Sequence, residues 1–168
     1  MGEVLNTSWV LWYHFDVTAW KVENFRVLVT MDTVEDVRDV FLIIQENPVM
    51  ILEHLYVMRK GITPRWEDPC NRKGGCWSMK VDIKESFQVF VKTVIMVVSE
   101  NSLSLEDGTN RSDLVTGISL CQKNNYNSIL QVWNSDRKVN KVSYLPQELT
   151  SKFTYEIIYR PHITEDGV

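Results

Sequence analysis

The chain has 168 residues, a hydrophobic content of 44% and a formal net charge of −4, with 18 Lys and Arg residues against 22 Asp and Glu residues. A chain of this length buries roughly two-thirds of its unfolded surface as one domain without disulfides or metal ions, so we expect one domain over residues 1–168. The acidic balance excludes a protein that binds nucleic acid mainly by coating phosphates with positive charge.

The first part of the chain alternates between strand and helix patterns. Runs rich in aromatic and β-branched residues predict strands at residues 9–15 and 25–31. Residues 32–33 offer an N-cap, and the apolar spacing after them predicts a helix that ends at residues 47–48. A third strand is predicted over residues 54–59.

The middle of the chain begins with an unusual polar loop at residues 61–75, which holds two prolines and two adjacent glycines. Strand alternation resumes at residues 76–83. Residues 85–100 have apolar positions at a helical period, which predicts a helix, although their many β-branched side chains would equally suit strands.

The last part predicts two strands, at residues 114–121 and 128–133, on either side of a polar turn. A helix is predicted over residues 137–152, with Pro146 as an interruption, and a final strand over residues 153–159. Together these elements indicate an α+β fold, with a mostly antiparallel sheet and about three helices packed on one face.

Motifs for catalysis and metal binding are absent from the sequence. It has no Gly-rich phosphate loop, no HExxH and no nucleophile motif, so we expect no enzyme. Cys70, Cys76 and Cys121 are odd in number and no pair has the spacing of a zinc site, which indicates free thiols in a reducing compartment and no metal or other cofactor. With no secretory signal and no spanning segment, we expect a cytoplasmic location, with the nucleus left open, and no membrane partner.

Six tryptophans divide into two groups. Large aromatic residues usually fill cores, and that is the expectation for the four tryptophans in or beside apolar strands: Trp9, Trp12, Trp77 and Trp133. Trp20 and Trp66 instead have polar or charged neighbours, so exposure for binding competes evenly with burial.

Two exposed indoles can hold a flat ligand between them, and their negative π faces favour a cationic one. Stacking contributes about 1–3 kcal/mol per base. The carboxylate of Glu67, next to Trp66, can accept two hydrogen bonds from adjacent N–H groups, which guanine presents at N1 and N2. Because methylation at N7 makes guanine cationic, Trp20, Trp66 and Glu67 form a candidate receptor for 7-methylguanine.

The order and spacing of these residues resemble the translation initiation factor 4E family. The similar segments cover almost the whole chain: Trp9-Val10-Leu11-Trp12, Trp20, Asp32-Thr33-Val34-Glu35-Asp36, Gly61-Ile62, Pro64, Trp66-Glu67-Asp68, Asn71, Gly74-Gly75, Trp77, Ser99-Glu100 and Val132-Trp133. The resemblance implies a curved sheet backed on its convex face by three helices. It also implies that the 7-methylguanosine cap of messenger RNA binds on the concave side between Trp20 and Trp66, for translation initiation or its control.

The chain departs from the family pattern where the cap phosphates are contacted. Cys76 stands where relatives place an arginine. Lys123 can supply the first residue of the family's basic pair if the turn is one residue longer, but residues 128–129 supply no second one. Arg72 and Lys73 are candidates to compensate, with a solvated basic turn as the alternative, and we expect a shallow salt dependence.

The resemblance also implies a partner-binding face on the helices, formed here by Val34, Arg38, Val91, Lys92 and Ile95. Relatives bind a helical peptide there, from a 4G-like scaffold or an inhibitory binding protein. Arg38 replaces a tryptophan and Lys92 replaces an acid. Both changes add positive charge, which disfavours the usual partner or selects an acidic one.

Alternatives to cap binding remain open from the sequence. A protein with the 4E fold that has lost cap binding and acts as an interaction module or translational repressor is favoured by Cys76 and the missing basic residues. A decapping hydrolase would need clustered glutamates to hold metal ions, and this sequence lacks them. In each reading we expect a monomer.

Overall fold

The computed structural model describes residues 2–15, 18–47, 54–153 and 156–163. In chain order, the strands and α-helices are β1 (Val4–His14), β2 (Phe25–Thr33), α1 (Val34–Glu46), β3 (His54–Arg59), β4 (Gly75–Asp82), α2 (Ser86–Val98), β5 (Val115–Gln122), β6 (Asn127–Asn134), α3 (Gln147–Thr150) and β7 (Ile158–Pro161). The strands form one sheet of seven in the order β2-β1-β3-β5-β6-β4-β7. Neighbouring strands all pair antiparallel.

Alternation along the strands sends side chains to two different apolar clusters. The larger cluster fills the convex side under the helices and includes Trp9, Trp77 and Phe90, all fully buried. The smaller one lies on the concave side and consists of Phe25, Tyr56, Met58, Cys76 and Trp133. The predicted α+β fold, a curved antiparallel sheet with helices on its convex face, is confirmed.

Helix α1 begins at the predicted N-cap. Thr33 accepts a hydrogen bond from the backbone N–H of Asp36 through its hydroxyl, and the Asp36 carboxylate accepts one from the N–H of Thr33, which completes a capping box. The helix packs on α2 through an edge-to-face contact of Phe41 with Phe90, with ring centroids 6.4 Å apart. It ends at Glu46, whereas Pro48 of the predicted end lies outside the described residues.

The helix predicted over residues 137–152 is wrong. The segment forms turns, a short 3₁₀ helix at Val142–Tyr144 and only the four residues of α3 after Pro146. The cause lies outside local periodicity, because the side-chain amide of Asn134 donates to the carbonyls of Asp136 and Val139, at 3.0 and 2.7 Å, and holds this stretch against the end of β6.

The final strand lies further along the chain than predicted. Phe153 precedes it without strand structure, residues 154–155 are outside the described residues, and β7 pairs with the first half of β4 at the edge of the sheet. An edge position accommodates Pro161, which has no N–H to donate. No helix within the described residues is long and apolar enough to cross a bilayer.

Candidate functional site

The two half-exposed tryptophans lie on the concave side and line one cavity of about 420 Å³, which we call the concave cavity. Trp20 comes from the connector between β1 and β2 and is 51% exposed, and Trp66 comes from the loop between β3 and β4 and is 48% exposed. Glu67 lines the same cavity. The structure therefore brings the three predicted ligand-binding residues together around one space.

Trp20 is held by a residue of β1. Its indole stacks on the imidazole of His14, with centroids 4.3 Å apart and planes 6° apart. The His14 ring is 1% exposed, and its Nε2 lies 2.9 Å from the carbonyl oxygen of Ala19, so it is fixed to the connector that carries Trp20. One indole face is thus covered by His14, and a ligand has the other face available.

The loop that carries Trp66 is braced from within. One oxygen of the Asp68 carboxylate accepts hydrogen bonds from the backbone N–H and the hydroxyl of Thr63, both at 2.8 Å. The side-chain amide of Asn71, which is fully buried, donates to the carbonyls of Thr63 and Arg65, at 3.1 and 2.8 Å. Trp66 and Glu67 therefore project from a loop of defined shape.

Glu67 has one ion-pair contact. Its Oε1 accepts from the guanidinium of Arg65 at 3.0 Å, and the Glu67 side chain is 42% exposed. An exposed pair of this kind contributes only about 0–1 kcal/mol, so it holds the carboxylate in place without a large cost for rearrangement. The carboxylate can accept two hydrogen bonds from a ligand edge in the cavity.

Trp133 lies at the floor of the concave cavity rather than in the convex core. Its Nε1 donates to the hydroxyl of Ser119 at 3.0 Å. That hydroxyl donates to Gln131, whose amide donates to Ser78, at 3.1 and 3.0 Å. The predicted burial of Trp133 is confirmed, but sequence reasoning missed its place in the cavity. The signal was available, because Trp133 alternates with Val132, which faces the convex core.

A histidine–cysteine pair forms part of the cavity wall. Cys121 Sγ lies 2.8 Å from His54 Nε2, and the His54 ring is 5.8 Å from that of His14. Burial lowers the pKa of His54, and nearby positive charge from His14 and Lys123 lowers it further. Burial raises the pKa of the Cys121 thiol. No group of three or more metal-ligating side chains occurs within the described ranges.

The predicted phosphate-binding residues do not meet at one place. Lys123 follows β5 at the end of the sheet where His54 and Cys121 lie, and its charge acts on both side chains. Arg72 and Lys73 line a separate cavity of about 550 Å³ near the opposite end of β4.

A cation that the sequence did not reveal lies beside Cys76. Cys76 is 5% exposed and pairs across strands with Arg160 of β7. Directly opposite residues of an antiparallel pair share a face, so Arg160 lies on the concave side. Burial raises the pKa of the Cys76 thiol, and the charge of Arg160 acts against that rise. Only the register of β7 could have identified Arg160.

Four of the five residues predicted for the partner-binding face line one apolar cavity of about 370 Å³: Val34, Arg38, Val91 and Ile95. Arg38 is paired with Asp39 at 2.8 Å on the exposed side of α1. Lys92 lies outside this lining, next to Lys152, whose ammonium group lowers the pKa of Lys92.

The comparisons with known proteins agree on one family. The family model described as eukaryotic initiation factor 4E matches residues 4–165. The chain is 29% identical over 102 residues to eukaryotic translation initiation factor 4E of Candida glabrata, an alignment that covers 57% of this chain and 49% of that protein. It is 27% identical over 169 residues to eukaryotic translation initiation factor NCBP of Triticum aestivum, which covers 94% of this chain and 69% of that protein. The chain thus spans about half the length of the first relative and about two-thirds of the second.

Solved structures show the same fold. The C. elegans eIF4E-3 in complex with the 4E-binding protein Mextli has a TM-score of 0.77 and 21% identity, over 96% of this chain and 94% of that chain. The Ascaris suum eIF4E-3 in complex with m7G cap has a TM-score of 0.77 and 22% identity, over 96% of this chain and 92% of that chain.

Proposed function

This chain belongs to the eukaryotic initiation factor 4E family, and from that premise we propose that it binds the 7-methylguanosine 5′ cap of messenger RNA in the concave cavity. The observation that carries the proposal is the placement of Trp20, Trp66 and Glu67 around one cavity, with both indoles about half exposed. A protein of the same fold has been solved with m7G cap. The biological role that follows is translation initiation or its control.

The cavity suits the methylated base chemically. Its volume of about 420 Å³ lies in the usual range for small-ligand sites. The free face of Trp20 and the ring of Trp66 stack on the cationic base, and Glu67 accepts from guanine N1–H and N2–H. Trp133 closes the floor with its indole N–H already bonded to Ser119, so it offers the ligand an apolar surface. No step of this binding requires catalysis, a metal or a cofactor.

The phosphates of the cap are left to cations that lie outside the lining of the concave cavity. Cys76 stands where relatives have an arginine. Arg160 lies directly opposite Cys76 on the neighbouring strand and supplies a positive charge there. Lys123 supplies a second positive charge from the opposite end of the sheet. Base recognition therefore rests on the side chains that line the concave cavity, and phosphate recognition rests on few cations.

The convex face is the second part of the proposal. The apolar cavity between α1 and α2, lined by Val34, Val91 and Ile95, suits the apolar side of a helical peptide from a 4G-like scaffold or an inhibitory binding protein. A protein of the same fold has been solved with a 4E-binding protein. Arg38 and Lys92 then favour a peptide with acidic residues at its rim. We propose that one domain carries both the cap site and the partner-binding face, and that the protein is a cytoplasmic monomer.

Titration of tryptophan fluorescence tests cap binding. We expect quenching by 7-methyl-GTP and 7-methylguanosine but not by GTP, and a loss of affinity of about 5- to 150-fold in Trp66→Ala, which corresponds to one stacked ring. Tyr126→Ala is the matched control, because it removes an aromatic ring that is 77% exposed and does not line the cavity. If no methylated ligand quenches the fluorescence at millimolar concentration, the proposal of cap binding is wrong.

A further inference from the structure

A strongly basic cavity lies beyond the cap site. Four cations line it, Arg72, Lys73, Arg137 and Lys138, together with a single acid, Asp136. In a chain with a net charge of −4 this is a local excess of positive charge. We call this space, of about 550 Å³, the basic cavity. A concave site with one sign of charge concentrates ligands of the opposite sign.

The four cations keep their charge available. All ion pairs found between described residues lie elsewhere, so none neutralises these side chains there. The Arg137 guanidinium donates to the carbonyl of Ile163 at 3.1 Å, and the Arg137 backbone N–H donates to the carbonyl of Lys73 at 3.1 Å. The backbones of the two basic segments are therefore tied to each other, which brings the four cations around one space.

The residues after β7 connect the basic cavity to the concave cavity. His162 packs on Trp133, with ring centroids 4.9 Å apart. Its backbone N–H donates to the carbonyl of Gly74 at 3.0 Å, and Ile163 lines the basic cavity. Arg160, two residues before His162, lies on the concave side opposite Cys76 and adds a further positive charge to this part of the molecule.

We propose that the basic cavity binds phosphate groups of the RNA chain that follows the cap. The inference rests on the proposed cap binding and adds a second, sequence-independent contact with the same ligand, because phosphate contacts fix the position of a nucleic acid without reading its bases. The occupant is RNA rather than an acidic peptide, since Ile163 in the basic cavity directly follows His162, which packs on Trp133 of the cavity that takes the nucleotide. Cap affinity alone does not measure this contact.

The test compares a fluorescently labelled capped RNA of about ten nucleotides with the same RNA uncapped and with 7-methyl-GTP, at about 50 to about 200 mM salt. The variant is Arg72→Gln/Lys73→Gln/Lys138→Gln, which leaves the Arg137 contact with Ile163 intact. The control is Lys60→Gln/Lys84→Gln/Lys152→Gln, which makes the same change of charge at residues that line neither cavity.

We expect wild-type protein to bind capped RNA more tightly than 7-methyl-GTP. The basic-cavity variant should lose about tenfold or more for capped RNA, and its slope of log K against log salt should be shallower by about 2, for three phosphate contacts to single-stranded RNA. Its affinity for 7-methyl-GTP should stay unchanged, as should every affinity of the control.

The outcomes separate the two proposals. Normal binding of 7-methyl-GTP with no added affinity for capped RNA would reject RNA binding in the basic cavity and leave the proposal of cap binding intact. An unchanged affinity of the variant for capped RNA would have the same meaning. Salt-dependent binding of uncapped RNA that the variant loses, without 7-methyl-GTP binding, would support the phosphate site and reject cap binding. A glutamate oligomer that binds as tightly as RNA would also overturn the RNA assignment.

Discussion

The imidazole of His14 lies parallel to the indole of Trp20, with the ring centroids 4.3 Å apart and the planes 6° apart. His14 is almost completely buried on β1, so it gives the exposed indole a rigid support. The stack fixes the indole, so Trp20 loses little conformational freedom when a base is bound. Preorganisation of this kind raises affinity by lowering the cost of ordering.

His14→Ala should weaken 7-methyl-GTP binding by about 2- to 10-fold, because an aromatic pair contributes about 0.5–1.5 kcal/mol beyond burial. His14→Phe keeps a flat ring under Trp20 and should retain most of the affinity. Both variants are measured by tryptophan quenching, with thermal unfolding as the control for folding. Equal affinities for wild type and a folded His14→Ala would show that the stack does not contribute.

Arg160→Gln should separate phosphate recognition from base recognition. Arg160 lies opposite Cys76 on the concave side, so its loss should reduce affinity for 7-methyl-GTP by about 10- to 150-fold, as for a hydrogen bond to a charged group. Affinity for 7-methylguanosine, which has no phosphate, should not change. Titration of both ligands at several salt concentrations measures the difference.

Lys84→Gln is the control for Arg160→Gln. It also removes one positive charge, and Lys84 lines neither the concave cavity nor the basic cavity. The salt slope for 7-methyl-GTP should fall by about one in Arg160→Gln and stay constant in the control. A parallel loss of affinity for the nucleoside and the triphosphate would instead indicate that Arg160 supports the shape of the cavity.

Local pattern was enough to predict most of the fold and failed where distant contacts decide the structure. The capping box at Thr33 and the helical period of α2 are local signals, and both elements form. The stretch after β6 also has a helical pattern, but the side chain of Asn134 holds it in turns. A hydrogen bond of this kind requires the folded sheet, so sequence periodicity could not reveal it.

The residues of the candidate site also fall into those that the sequence could identify and those that only the folded structure reveals. Trp20 and Trp66 could be singled out because apolar residues in polar surroundings are visible in the sequence, and the structure leaves both half exposed. Arg160 and His14 could not be found, since their relevance comes from strand register and ring stacking. Lys123 and Arg72 were both candidates for phosphate binding, yet Lys123 lies near His54 of the concave cavity and Arg72 lines the basic cavity.

Lys92→Glu should change the selectivity of the partner-binding face. Lys92 follows Val91 on α2 and lies next to Lys152, whose charge lowers the pKa of Lys92, so wild type has positive charge just outside the lining of the apolar cavity. The substitution should favour a helical peptide with arginine at its rim and disfavour the same peptide with glutamate there. Calorimetry with this peptide pair measures the change, which should be about 2- to 5-fold in opposite directions, as for exposed charge pairs.

Lys84→Glu provides the matched charge reversal for Lys92→Glu, because Lys84 precedes α2 and does not line the apolar cavity. It should leave the preference between the two peptides unchanged. If Lys92→Glu shifted both peptides in the same direction, the residue would affect packing of the face and not its charge selectivity.

The pH dependence of stability should report on His162, which joins the two cavities. Burial lowers its pKa from 6.5 to about 4, and its Nε2 has no hydrogen-bond partner among the described residues. The ring is therefore neutral in the folded protein between about pH 4 and pH 6.5, where the unfolded chain binds a proton. Above pH 6.5 both states are neutral and His162 has no effect on the pH dependence.

The free energy of unfolding should consequently fall as pH drops from about 6.5 to about 4, with about 1–2 kcal/mol due to His162 after allowance for its partial exposure. His162→Phe keeps an aromatic ring against Trp133 and removes the titration. Urea unfolding of both proteins at about pH 7.5 and about pH 5 measures the effect, and taking the difference cancels the carboxylates that titrate equally in each. A stability difference between the two proteins that does not change with pH would show that His162 is solvated in the folded state, and the contact between the cavities would then be looser than the ring packing indicates.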